Sequence, residues 1–354
     1  MTDPAILRIL DANANRAREG LRVVEEYARF VLESPALAAR SKGLRHEFAD
    51  ALAYLTAALP GGACDLEAAR DTPGDVGTDL STPAEAARPN SLAVARAGMK
   101  RLQEALRALE EYAKPVSADA GARFERVRYA AYALEPVLFA AQDRRARLAR
   151  ALLYVLVTES LASTDARTAA REAAAGGADI IQMREKDLED GPFLDRARTL
   201  AEAVRGAGAL LLVNDRPHLA LPAGADGVHT GQDDLPVHLC RRLVGPDRIV
   251  GRSTHAPAQL AAVSDQGADY AAVGPVYETA TKAHRAAVGL DFVRHAAETA
   301  SVPWFAIGSV NRETLPRVLD AGARRVAVCT AILRAPDIAA EAAWFKARLA
   351  ERFE

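Results

Sequence analysis

The chain has 354 residues, 50% of them hydrophobic and 26% charged, a soluble-globular composition long enough for two domains. A formal net charge of −2 excludes global attraction to nucleic acid or an anionic membrane, so any anion has to be bound by a local cluster. Three scattered cysteines (Cys64, Cys240, Cys329), no signal-peptide pattern and no apolar run of membrane-spanning length argue against a disulfide framework, a zinc site or a membrane segment and place the expected protein in the cytoplasm.

Residues 1–142 read as an all-α domain. Alanine, leucine, arginine and glutamate dominate, and β-branched runs are missing. The stretch Asn15–Arg29 recurs as Lys100–Lys114, an offset of 85 residues, with Arg16, Glu19, Leu21, Arg22, Glu25, Glu26, Tyr27 and Ala28 repeated in identity. Leu21, Val24, Ala28 and Val31 form an apolar stripe at helical spacing, with Arg18, Arg22, Glu25 and Arg29 beside it. The repeat implies a pseudo-symmetric helical bundle. Its charges fit either a solvated face of i,i+3 and i,i+4 pairs or two copies facing each other across a site. The loop Arg70–Thr78, with two glycines, two acids and two hydroxyls, suits ligand contact better than packing.

Residues 143–150 read as a charged linker, and 151–354 as an α/β domain. Eight short apolar runs alternate with helical stretches: Leu152–Val157, Asp179–Met183, Ala209–Val213, Gly227–His229, Arg248–Gly251, Tyr270–Val273, Trp304–Ile307 and Arg325–Val328. Eight β-α units in about 200 residues predict a (β/α)8 TIM barrel. A doubly wound open sheet is the alternative, but no Gly-x-Gly-x-x-Gly follows the first strand.

The mouths of the predicted strands carry the chemistry. Strand 2 ends in Gln182-Met183-Arg184-Glu185-Lys186. Those charges cannot sit inside an apolar strand, so they belong at its C-terminal end, where parallel α/β folds bind substrates. Gln182, Arg184 and Lys186 alternate and are expected on one side of the extended segment, suiting a polyanion that carries a hydrogen-bonding base. Strand 3 ends in Asn214-Asp215, and Asp234 follows strand 4. Two carboxylates from neighbouring loops form a typical magnesium arrangement when phosphate and water complete the shell; helix N-capping is the structural alternative for each. Ser253 lies in a hydroxyl-rich turn after strand 5. Thr279-Ala280-Thr281-Lys282 lies in a polar loop after strand 6 that is expected to act as a lid. Ser309 and then Cys329 and Thr330 close strands 7 and 8, where such barrels cradle phosphate. His229 reads as a hydrogen-bonded residue of the barrel mouth rather than a metal ligand.

Together, Gln182–Lys186, Asn214-Asp215, Gly231–Asp234 and Thr279–Lys282 resemble thiamine-phosphate synthase over residues 150 to 350. The resemblance implies a Mg2+-assisted transferase, active on phosphorylated small molecules, that joins an aminopyrimidine diphosphate to a thiazole monophosphate and releases diphosphate. It implies that Gln182, Met183, Arg184, Glu185, Lys186, Asn214, Ser253 and Lys282 hold the pyrimidine diphosphate. Thr279, Ala280, Thr281, Ser309, Cys329 and Thr330 would surround the thiazole phosphate, and Asp215 and Asp234 would hold magnesium. The family commonly has Gly-Gly where this chain has Gly308-Ser309; if that position needs φ > 0, serine is strained there. The helical half resembles a domain fused ahead of some bacterial thiamine-phosphate synthases and associated with phosphorylation of the pyrimidine monophosphate. A dimerisation scaffold is the rival reading for that half, a thiazole tautomerase the rival for the barrel, and a homo-oligomer is expected.

Overall fold

In a computed structural model, residues 3–71, 74, 88–279 and 286–352 are described. The chain divides into two compact units, Met1–Ala140 and Ala141–Glu354. No described helix is long and apolar enough to cross a membrane.

In the first unit, α1 (Pro4–Glu26) runs into a π-helical turn, Tyr27–Val31. It is followed by α2 (Pro35–Ala57), the short α3 (Ala63–Ala68), α4 (Ser91–Ala113) and α5, which begins at Ala118. Asp3, Ser34 and Asn90 cap α1, α2 and α4, each side chain accepting from a backbone N–H of the first turn. The repeated segments occupy α1 and α4, which pack directly on each other. A Cβ at Gly20 would lie 2.8 Å from the Gly98 carbonyl oxygen, so glycine permits the close approach. The two copies therefore face each other in contact, with no cleft at that crossing. Leu21, Val24 and Ala28 are buried, while Arg18, Arg22 and Arg29 are exposed. The repeated glutamate turns to the following helix in both copies, where Glu25 pairs with Arg45 at 2.8 Å and Glu110 with Arg128 at 2.7 Å.

The stretch expected as a linker is helical instead, because α5 continues to Ala149. Arginine and alanine are good helix formers, and the arginines are anchored. Arg144 pairs with Asp269 at 2.8 Å, and Arg147 pairs with Asp226. Leu148 is fully buried beneath the barrel core.

The second unit is a closed parallel barrel in the order β1 to β8. The strands are β1 (Leu153–Val157), β2 (Ile180–Met183), β3 (Leu210–Asn214), β4 (Gly227–Thr230), β5 (Ile249–Thr254), β6 (Tyr270–Val273), β7 (Trp304–Ile307) and β8 (Val326–Val328). All eight predicted strands are present. Side-chain alternation divides each strand between two cores. Leu153, Val155, Ile181, Met183, Leu211 and Val213 pack outward against the helices. Tyr154, Leu156, Ile180, Leu212, Tyr270 and Phe305 fill the interior.

At the N-terminal end of the barrel, Gly-Ala-Asp recurs before β2, β4 and β6, ending in Asp179, Asp226 and Asp269. Each aspartate accepts from backbone N–H groups of the preceding strand: Leu152 and Leu153, Leu211, and Val250. Each is also paired with a cation, namely Lys346, Arg147, and Arg144 together with Arg241. These carboxylates close the floor of the barrel and are fully matched.

Candidate active site

The C-terminal mouth opens into a pocket, at the face where barrels of this kind place their small-molecule sites. Of the residues predicted from sequence, Gln182, Arg184, Asn214, Ser253, Thr279, Ser309, Cys329 and Thr330 line it. β2 ends at Met183, and beyond it the chain bends. Gln182 and Arg184 share the pocket, whereas Lys186 turns aside to stand 3.6 Å from Asp215. Met183 and Glu185 have the opposite parity. Met183 is fully buried in the outer core. Glu185 accepts the Glu159 N–H at 2.8 Å and meets Arg196 at 3.2 Å, tying the loop after β2 to the loop after β1. Neither side chain faces the pocket; the contiguous motif hid a strand alternation. Ala280, Thr281 and Lys282 lie outside the described residues, as does most of the loop expected after Arg70. Arg70 itself is held by Asp11 through two bonds of 2.8 Å.

The Asp215 and Asp234 side chains approach each other next to Asn214, and neither aspartate is among the residues that line the pocket. Burial, together with the hydrogen bond and negative charge of Asp234, pushes the Asp215 carboxyl up to about 6, against the opposing pull of Lys186 and Asn214. Asp215 also holds a left-handed backbone conformation, φ 59°, a conformation that costs a non-glycine residue energy. Neither aspartate caps the helix beside it. The helix Pro217–Ala220 has no side-chain cap, and Asp234 accepts the N–H of Gly231 at 2.7 Å. Two hard oxygen donors that repel each other are a setting a divalent cation relieves. Among the described residues no group of three or more Asp, Glu, His or Cys is available for a metal, so water and a phosphorylated ligand would have to complete its shell.

The far wall differs. Ser309 has φ 49°, so this position does require φ > 0, and its Oγ donates to the Glu278 carbonyl at 2.5 Å. Gly308 has φ 115°, and a Cβ there would lie 2.6 Å from the Val276 nitrogen. Burial pushes the Cys329 thiol up to about 11, which keeps it protonated and unsuited to nucleophilic attack.

Sequence reasoning did not identify Tyr154 and Tyr270. Their hydroxyls are 2.9 Å apart at the pocket floor, Tyr154 donates to Gln182 at 2.7 Å, and Tyr270 meets His229 Nδ1 at 2.8 Å. Burial raises both phenols far above their ordinary range, so both stay neutral donors. Tyr154 shares inward parity with Gln182 two strand positions further on in register, and that parity was the available signal.

A closed parallel barrel with an acid pair and an arginine toward its C-terminal mouth has the architecture of the barrel enzymes, whose active sites lie at that face. Comparison with known proteins narrows the class. Residues 153–332 match the family described as thiamine monophosphate synthase, and residues 8–137 match the ThiD2 family. The thiamine-phosphate synthase of Synechocystis sp. is 46% identical over 331 residues, covering 93% of this chain and 92% of that protein. That of Gloeobacter violaceus is 45% identical over 347 residues, with 98% of each chain covered. The solved structure of thiamine phosphate pyrophosphorylase from Pyrococcus furiosus superposes with a TM-score of 0.54 at 30% identity, covering 60% of this chain and 99% of that one. The chain belongs to the thiamine-phosphate synthase family and is a transferase, with a ThiD2 unit ahead of its barrel.

Proposed function

We propose that the barrel joins an aminopyrimidine methyl diphosphate to a thiazole ethyl phosphate, releasing diphosphate in a Mg2+-assisted dissociative displacement. The observation that carries this reading is the approach of Asp215 to Asp234 beside Lys186, next to Asn214 of the pocket that Arg184 lines. A cation bound by the two aspartates would neutralise diphosphate charge and improve it as a leaving group. Gln182, Asn214 and Ser253 hold the pyrimidine diphosphate at the pocket floor and wall. Arg184 and Lys186, with Lys282, take up charge that develops on the leaving oxygens. The aminopyrimidine ring delocalises the methylene cation as the C–O bond breaks. The thiazole nitrogen then forms the new C–N bond as a neutral nucleophile, so no base is required, and positioning supplies much of the acceleration. Thr279, Ser309 and Thr330 surround the thiazole phosphate beside Gly308.

A thiazole tautomerase would need only this second phosphate site, and the acid pair would then have no role. For the helical unit, the ThiD2 match favours transfer of a phosphoryl group from ATP to the pyrimidine monophosphate, which would supply the barrel's own substrate. The test uses the full chain. With both substrates and magnesium, it should release one diphosphate per thiamine phosphate and stop when the metal is chelated. Undiminished turnover in chelator overturns the metal-assisted route. ATP-dependent formation of pyrimidine diphosphate from the monophosphate tests the helical unit, and its absence favours a scaffold.

A further inference from the structure

One continuous chain of hydrogen bonds runs around the inside of the barrel. Asn214 donates to Asp215; Gln182 donates to Asn214 at 2.5 Å; Tyr154 donates to Gln182 at 2.7 Å. Tyr154 and Tyr270 share a bond of 2.9 Å, Tyr270 and His229 Nδ1 one of 2.8 Å, and His229 Nε2 and Ser253 Oγ one of 2.9 Å. Gln182, Asn214, Tyr154, Tyr270, His229 and Ser253 are between 0% and 8% exposed, so reversing a single link would leave a buried polar atom mismatched. Room for the chain is built in, because a Cβ at Gly251 would lie 2.1 Å from the Tyr270 ring.

The sense of this chain follows from the geometry of the two amides. The NH2 group that reaches Asp215 is that of Asn214. Its carbonyl then receives the Gln182 NH2, and the Gln182 carbonyl receives the Tyr154 proton. Tyr154 has one proton to give, so Tyr270 must donate to Tyr154. Tyr270 in turn must accept from His229, which fixes the neutral ring as the Nδ1–H tautomer and leaves Nε2 to accept from Ser253.

We propose that Tyr154, Tyr270 and His229 are positioning residues that lock the amide orientations of Gln182 and Asn214, and so set the donor and acceptor pattern shown to the heteroaromatic ring. This rests on the reading that the pocket floor takes the pyrimidine. The lock itself can be measured without any substrate. A histidine that merely fills space has no reason to adopt the Nδ1–H form, which free imidazole side chains disfavour.

The experiment is a long-range 1H–15N correlation spectrum of the full chain in alkaline buffer, with His229 identified by the signals lost in His229→Gln. The wild-type chain should show Nδ1 protonated and Nε2 bare. Tyr154→Phe keeps the ring and acts on His229 only through Tyr270. Without its acceptor, Tyr270 should donate to His229 Nδ1 and switch the ring to Nε2–H. The same variant should raise KM for the pyrimidine diphosphate about fivefold, the worth of one hydrogen bond, with KM for the thiazole phosphate unchanged. If Tyr154→Phe does not fold, Tyr270→Phe serves, with the same tautomer switch expected. An Nε2–H ring in the wild type, or an Nδ1–H ring that persists in the variant, overturns the proposal. A correct tautomer switch without the KM split would retain the lock and reject its link to the pyrimidine.

Discussion

The two ends of the barrel treat carboxylates in opposite ways. At the N-terminal floor, Asp179, Asp226 and Asp269 are each matched by backbone N–H groups and by at least one cation. At the C-terminal mouth, Asp215 and Asp234 are turned on each other, and burial with mutual repulsion lifts the Asp215 carboxyl to about 6. The residue type is the same and the barrel is the same. An acid held by backbone N–H groups and a cation belongs to the fold, whereas two carboxyls pressed together, one of them raised, mark a candidate functional site. The comparison holds only if substitutions at the two ends act on different observables.

The largest effect is expected at the mouth. Asp215→Ala should lower turnover about a thousandfold, the several kcal/mol by which a metal stabilises a leaving diphosphate, with circular dichroism unchanged. At the floor, Asp269→Ala leaves Arg144 and Arg241 without their anion. It should destabilise the barrel by about 3 kcal/mol in a denaturant titration, while kcat/KM of the folded fraction stays at the wild-type value. A floor variant that loses turnover but not stability would break the comparison.

The pH dependence should be about as large. With no cation present, the folded Asp215 carboxyl titrates near 6, above the value of about 4 for an unfolded aspartate. The folded state therefore holds its proton longer. The contribution of this carboxyl to stability, read as wild type minus Asp215→Asn, should be largest below about pH 4, fall between pH 4 and 6 by at most about 3 kcal/mol, and stay level above. Magnesium with diphosphate should reverse that fall. Thermal melts of both chains across this range in chelator check the sign; a difference that rises from pH 4 to 6 contradicts it.

The smallest expected effects fall on the phosphate wall. Ser309→Gly removes the cost of a non-glycine residue at φ 49° but also loses the bond to Glu278, so Tm should move by no more than the equivalent of about 1 kcal/mol. Ser309→Ala keeps the strain and loses the bond, so it should be the less stable of the two.

Much of this was legible in the sequence. Eight apolar runs at β-α spacing give the barrel, and the acids just beyond strands 3 and 4 do approach each other. The errors share a cause, which is reading a motif as a block. Reading Gln182 through Lys186 together overlooks strand parity, which sends Met183 and Glu185 the other way, and the bend after Met183, which takes Lys186 out of the pocket. Tyr154 and Tyr270 look like ordinary core residues until their neighbours in the closed sheet are known. The charge of residues 143–150 reads as a linker, although arginine and alanine favour helix and the floor acids supply anchors, so the helix runs on to Ala149. The thrice-repeated Gly-Ala-Asp was visible and would have marked the floor.

The central claim is that Asp215 and Asp234 form a divalent-cation site completed by diphosphate. It is tested most directly by titrating Mn2+ into the full chain in the presence of diphosphate and following bound metal by electron paramagnetic resonance. The wild-type chain should bind one ion in a diphosphate-dependent manner, and both Asp215→Asn and Asp234→Asn should lose it. Unchanged Mn2+ binding in both variants would contradict the account.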